Sequence, residues 1–337
     1  MDDARRRPKS LTIAGRIRRR LSVIVHNLYV DVNRDASATV LLCGSGRSGT
    51  TWLVGVANYD NYYRLMIEPF FRAHVPAVKA FRRRQYLRPS NVDPTYLGPA
   101  TSIFTGAIRD GFIDQLNRRI VCTSRIVKDV RCTLMLGWLR ARFPAMPIVL
   151  VLRHPCAVAH SRAKLGWDDI REDYLGQPDL VTDHLAPFAG AIRAASTDFE
   201  RHVFDWCVEN YVPFRQLAPG GVHLAYYENF CVDPARELDR LFAFLGRPYD
   251  ARIFSTLTRS TASAFAAGRA RSSAVISEES LTESWRGQLS RDQIDRAYEI
   301  VASFGLERIY GRAWLPDMDG ALATFSGATD IASVAPG

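Results

Sequence analysis

The sequence predicts one α/β domain, a parallel β-sheet flanked by helices on both faces. Two observations carry that expectation, and a third places a site on it. Apolar strand-like runs alternate with helical patterns along most of the 337 residues. The runs are apolar nearly throughout rather than every second residue, as in strands covered on both faces. The first of them, TVLLC (39–43), empties into the glycine-rich stretch GSGRSGTTWL (44–53), and such sheets bind ligands beyond the carboxyl ends of their strands.

The expected strands are 39–43, 62–67, 120–127, 147–152 and 222–226. The expected helices are 50–58, 130–142, 155–165, a long one over 186–217, and 234–245. Pro155 suits the first turn of its helix, and Phe188, Ile192, Phe199 and Trp206 mark the buried stripe of the long one. Crossovers between parallel strands should be right-handed. Residues 85–119, with Pro89, Pro94 and Pro99, read as a long irregular insertion that shapes a site. No repeat or second core is visible. The expected organisation is a basic, partly helical extension (1–35), the main α/β domain (36–312) and a loosely ordered tail (313–337).

Composition narrows the function classes. Hydrophobic residues at 47% and charged residues at 23% are ordinary globular values and exclude wholesale disorder. The net charge of +9 is uneven: residues 1–20 hold eight Lys or Arg against two Asp. The rest is too mildly basic for a nucleic-acid-coating surface, so no nucleic-acid partner is expected. The six cysteines include no C-x-x-C pair and read as reduced core residues of a cytoplasmic protein. No run approaches the roughly 18 apolar residues of a membrane span, and no signal-peptide cleavage pattern is present. Within 11–30, Ile13, Ile17, Leu21 and Ile24 recur at helical spacing beside four arginines. That stripe suits a helix docked on the protein's own body, or one in peripheral contact with an anionic membrane.

The loop is P-loop-NTPase-like but departs from the Walker A form G-x-x-x-x-G-K-[ST]. Gly44 and Gly49 hold the glycine places, Thr50 stands at the lysine and Thr51 at the hydroxyl, and Arg47 lies inside. Backbone N–H groups at a helix N-terminus bind anions, and Ser48, Thr50 and Thr51 add hydroxyl donors. After PIVLVL, where a nucleotidase places an acidic magnesium ligand, stands Arg153. Arginine there repels a metal and attracts another anion. Ser161, two helical turns on, can reach the same anion; a structural salt bridge is the other role open to Arg153.

These motifs resemble those of the 3′-phosphoadenosine 5′-phosphosulfate (PAPS)-dependent sulfotransferases. GSGRSGTTWL resembles their 5′-phosphosulfate loop and VLRHPCAVAHSR their 3′-phosphate motif. AYYENFCVDPARELDRLFAFLG (225–246) and SWRGQLS (284–290) resemble two later segments. The resemblance implies that PAPS is the co-substrate, adenosine 3′,5′-bisphosphate the product, and that no metal is required. It implies that Arg47 contacts the sulfuryl group, that Ser48, Gly49, Thr50 and Thr51 cradle the 5′-phosphate, and that Arg153 and Ser161 bind the 3′-phosphate. Trp52 would stack on adenine, with Tyr227 or its strand neighbour Tyr226 at the adenine edge. Arg271 and Ser272 resemble a late phosphate-contacting loop, with a solvated loop as the alternative.

For the base, SRIVKDV (124–130) keeps the lysine of the family's cytosolic members at Lys128, but Val130 replaces their histidine. Carbohydrate-type members carry a glutamate after the second strand, which Glu68 matches. A helix-starting residue is the other reading of Glu68, and His74 and Asp129 are further candidates. The implied reaction is in-line sulfuryl transfer: Glu68 deprotonates an acceptor hydroxyl while Arg47 and Lys128 stabilise developing charge. The acceptor is a glycan, glycolipid or small molecule. FRRRQYLR (81–88) reads as a solvated helix face or a contact for an anionic glycan. A magnesium-dependent P-loop kinase or nucleotidase, and a non-catalytic nucleotide-binding relative, are the competing classes.

Overall fold

The computed structural model describes residues 28–257 and 283–325. Five parallel strands form the central sheet: β2 (Thr39–Gly44), β3 (Arg64–Ile67), β5 (Arg125–Asp129), β6 (Ile148–Leu152) and β7 (His223–Tyr226). Their order across the sheet is β3-β5-β2-β6-β7. A separate two-stranded parallel sheet pairs β1 (Val30–Asp31) with β4 (Val121–Cys122). The helices of six or more residues are α1 (Thr50–Ala57), α2 (Pro94–Phe104), α3 (Leu136–Arg142), α4 (Pro155–Lys164), α5 (Ala189–Ala194), α6 (Asp198–Gln216), α7 (Tyr227–Val232), α8 (Pro234–Phe244), α9 (Arg291–Ser303) and α10 (Met318–Thr324).

Two apolar clusters cover the two faces of the sheet, because side chains alternate along each strand. Leu41 and Cys43 of β2 face the larger one, with Trp138, Trp206 and Ile192; Val40 and Leu42 face the smaller one, with Leu53, Leu238 and Phe242. In the central sheet β2, β5, β6 and β7 are buried end to end, and in β3 only Leu65 is half-buried.

Several expected elements differ. The strand expected at 120–127 is two, β4 and β5, in different sheets, with Thr123 and Ser124 between them. The long helix breaks before Thr197, whose side chain accepts from the Glu200 N–H while Glu200 bonds back, a capping box that restarts the chain as α6. The expected irregular insertion holds α2, capped by Asp93 and opened by Pro94, with Ala100, Ile103 and Phe104 buried. Residues 81–88 are neither a helix nor fully solvated: Arg84, Gln85 and Tyr86 are buried.

At the chain's flanks, residues 28–30 end in β1 rather than in a helix, with Tyr29 buried; the remainder of the 11–30 stripe lies outside the described residues. Beyond residue 313, α10 packs Ala321 into the core and the Phe325 ring lies 4.6 Å from that of Phe214. No disulfide forms: five cysteines are buried and Cys231 is half-buried. Among the described residues no helix is long and apolar enough to cross a membrane.

Candidate active site

The site lies past the carboxyl ends of β2, β3, β5 and β6. Lys128 of β5 is in register with Leu42 of β2 and Ile67 of β3. It therefore sits between the residues that lead into the glycine-rich loop and into Glu68. The loop makes its turn with Arg47 at φ 78° and Gly49 at φ 91°, both left-handed. At Gly49 only glycine fits, since an added Cβ would also lie 2.7 Å from Cδ2 of the Tyr227 ring. From there α1 starts with no side-chain cap, leaving its first N–H groups directed at the space over the loop.

Arg47 donates from Nε to Ser161 Oγ at 3.0 Å, and Arg153 Nη1 donates to the Arg47 carbonyl at 3.3 Å. Burial, then Arg153, then Arg162 push the Arg47 guanidinium below its ordinary pKa, the mark of crowded positive charge that favours an incoming anion. The Arg153 guanidinium lies 4.2 Å over the Tyr227 ring. The fully buried Ser48 Oγ has no hydrogen-bond partner among the described residues. A buried hydroxyl without a partner is costly, and here it sits in an anion-binding loop.

Thus Arg47, Arg153, Ser161 and Tyr227, distant in sequence, converge on the loop. Tyr226 is instead buried in the larger cluster, so of the two tyrosines Tyr227, at the start of α7, faces the loop. Trp52, half-buried on α1, meets Tyr227 and Phe230 edge-on at 5.8 and 5.7 Å and donates from Nε1 to the Leu257 carbonyl. Arg271 and Ser272 lie outside the described residues.

Glu68 follows β3 with φ 49°, a left-handed backbone for a non-glycine residue. It does not start a helix. Its N–H donates to the Lys128 carbonyl at 2.7 Å. Lys128 Nζ donates to one carboxylate oxygen; Arg131 Nη1, at 2.5 Å, and the Val130 N–H share the other. Burial pushes the carboxyl upward, but Lys128 and Arg131 overcome it and hold the pKa below the ordinary carboxylate value. Glu68 is therefore ionised across the neutral range. Arg131, which the sequence reading missed, also lies 3.8 Å over the Phe71 ring.

The other candidate bases sit differently. Asp129 is fully buried and accepts from the Phe70 and Arg131 N–H groups, at 2.8 and 2.6 Å, so it braces the turn around Glu68. Burial first, and then the Glu68 charge, push it up to about 7. His74 is exposed and stacks on Phe112 at 4.6 Å. The His154 ring, fully buried beside Arg153, stacks at 4.4 Å on Trp285 of the SWRGQLS stretch. Burial drives it to about 3, so it is neutral and structural. Among the described residues no group of three or more His, Cys, Asp or Glu is placed to hold a metal ion.

The profile of the Sulfotransferase family matches residues 39–251, from the first residue of β2 past the end of α8. The chain belongs to the sulfotransferase family. No curated protein matches its sequence significantly. Similar solved structures include the sulfotransferase domain from the curacin biosynthetic pathway, at 15% identity and TM-score 0.42, covering 82% of this chain and 98% of that one. A sulfotransferase from Mycobacterium avium, STF9, matches at 12% identity and TM-score 0.39, over 87% and 80%. Mouse SULT7A1, complexed with PAP, matches at 14% and 0.40, over 90% and 93%. The enzyme's loop fits an anionic nucleotide: the partnerless Ser48 hydroxyl and the crowded Arg47 are what such a group would satisfy.

Proposed function

We propose that this sulfotransferase sulfates a hydroxyl of a carbohydrate or glycolipid acceptor, with Glu68 as general base. PAPS, when bound, supplies an activated sulfuryl group and a stable leaving group, adenosine 3′,5′-bisphosphate. Ser48, Gly49, Thr50 and Thr51 hold its 5′-phosphate at the N-terminus of α1. Arg153 and Ser161 bind the 3′-phosphate, and Trp52 and Tyr227 receive the adenine. Arg47 and Lys128 offer cationic donors where charge develops. Glu68 accepts the acceptor's proton, and Lys128 and Arg131 keep it ionised until then.

The observation that carries this reading is the gathering of Arg47, Arg153 and Ser161 beside the loop, with arginine where a magnesium ligand would stand. The glutamate, in place of a histidine at Val130, is what supports a carbohydrate-type acceptor. The competing kinase reading predicts binding of ATP with magnesium. Calorimetric titration separates them: adenosine 3′,5′-bisphosphate should bind without magnesium and lose at least tenfold in Arg153→Ala, about the effect of one hydrogen bond to a charged group. Binding of magnesium–ATP alone would replace this reading with a kinase. An acceptor screen with labelled PAPS then identifies the hydroxyl; sulfation of no glycan or glycolipid would sink the acceptor class.

A further inference from the structure

We infer that Glu209 is a positioning residue that sets the shape of the phosphosulfate loop from beneath; the inference rests on the loop's proposed role. Glu209 projects from α6 and is fully buried. Its Oε2 accepts from Ser45 Oγ at 2.6 Å and from Arg162 Nη2 at 2.6 Å. Its Oε1 accepts from Arg84 Nε at 2.7 Å and from the Tyr174 hydroxyl at 3.3 Å. Arg162 in turn donates to the Gly46 carbonyl from Nε and Nη2, at 3.1 and 3.0 Å. Asn210, the next residue of α6, adds a 3.3 Å bond to Ser45 Oγ.

Ser45 and Gly46, the two residues before Arg47, are therefore both held to one carboxylate, directly and through Arg162. Trp167 closes the other side of Gly46, with Cη2 2.7 Å from where a Cβ would lie. The network has no solvent contact at Ser45, Arg162 or Glu209. A buried ion network is a weak source of stability compared with apolar packing of the same volume, so stability alone does not account for it. It does constrain direction: the Gly46 carbonyl is turned into the protein and held there. The Ser48 N–H turns back to the Ser45 carbonyl at 3.1 Å, so the turn that leads into α1 is closed from both sides before a nucleotide arrives, which lowers the ordering cost of binding. The charge is kept, because Arg162 and Arg84 outweigh burial and hold Glu209 at about 2. Arg84 brings segment 81–88 to the same carboxylate.

The test uses the full chain carrying Ser45→Ala or Glu209→Gln. Glu209→Gln removes the carboxylate that Arg84 and Arg162 share, leaving Arg162 only the longer 3.9 Å contact with Asp205 as counter-charge, and can fail to fold; Ser45→Ala removes one hydroxyl and decides in that case. Hydrogen exchange of the amides of residues 45–49 is measured in the free protein, and adenosine 3′,5′-bisphosphate affinity by calorimetry. We expect Ser45→Ala to exchange about tenfold faster across the loop and to bind about tenfold more weakly. The melting temperature should fall by only a few degrees, as the loss of one buried hydrogen bond requires, and kcat at saturating PAPS should stay within about twofold, a split that general destabilisation does not produce. Unchanged exchange and unchanged affinity would overturn the inference. If wild type itself fails to bind the bisphosphate, the sulfotransfer reading falls, while the exchange data still decide whether Glu209 shapes the loop.

Discussion

Glu68 combines a left-handed backbone, two cationic partners and a place at the end of a strand, and each has a consequence. Its carboxyl is the group whose ionisation should limit kcat/KM in acid. Because Lys128 and Arg131 hold it below the ordinary value, that limb should lie below the usual carboxylate range. Arg131→Gln removes one of the two cations while burial remains, so the pKa rises and the limb moves to higher pH. A pH profile of kcat/KM checks the shift; a limb that stays put would remove Glu68 from the base role. Glu68→Gln should lose about 10²–10⁴-fold in kcat with bisphosphate affinity unchanged, as single-turnover kinetics and calorimetry can show. Lys128 and Glu68 were expected from the resemblance of SRIVKDV and LMIEPF to family segments. Arg131 was not, since an arginine three residues past a lysine carries no signal until the turn after β5 aims it at a carboxylate.

At the scale of elements, the strand–loop–helix unit formed by β2, the loop and α1 is the part of the site that local sequence dictates. Glycines at the turns and hydroxyls in the first helical turn follow from the geometry of anion binding. Gly49→Ala should be severe there, because φ 91° and the Tyr227 ring both exclude a Cβ. We expect a stability loss of about 1–3 kcal/mol in denaturant unfolding and loss of bisphosphate binding by more than tenfold; near-normal affinity would mean that the loop does not hold the phosphate this way. The helix and strand errors have physical causes too. Apolar stripes continued across Ala195–Thr197, where only the capping box of Thr197 and Glu200 marks the break. Proline, read as a mark of irregularity in 85–119, instead starts α2 at Pro94.

Across the whole molecule, buried titratable groups couple the fold to pH. His223 lies on β7 against Phe244, and burial, followed by Arg240, lowers it to about 4. A histidine free in the unfolded chain titrates near 6.5, so between those values the unfolded state binds the extra proton. Its contribution is therefore present at neutral pH and is lost as pH falls, by about 2 kcal/mol at pH 5. Asp129, raised to about 7, acts in the opposite sense over an overlapping window, so the clean measurement is a difference. Urea unfolding of His223→Phe and wild type should show the variant gaining about 2 kcal/mol relative to wild type between pH 7 and 5. A constant difference would show that His223 is not buried as a neutral ring.

By itself the sequence determined the parallel α/β sheet, the phosphate-type loop, the absence of a Walker lysine and the arginine that follows β6. Those features are local: apolar runs, glycine places and motif order are written within a few residues of one another. Only the tertiary structure decided that Tyr227 and not Tyr226 faces the loop, that Glu68 lies between Lys128 and Arg131, and that Glu209 reaches Ser45 across 164 residues. These depend on which strand ends are neighbours and on what burial leaves for each charge to pair with. Burial and pairing are properties of the assembled chain, and a lone arginine or glutamate reads the same on the surface as in the core.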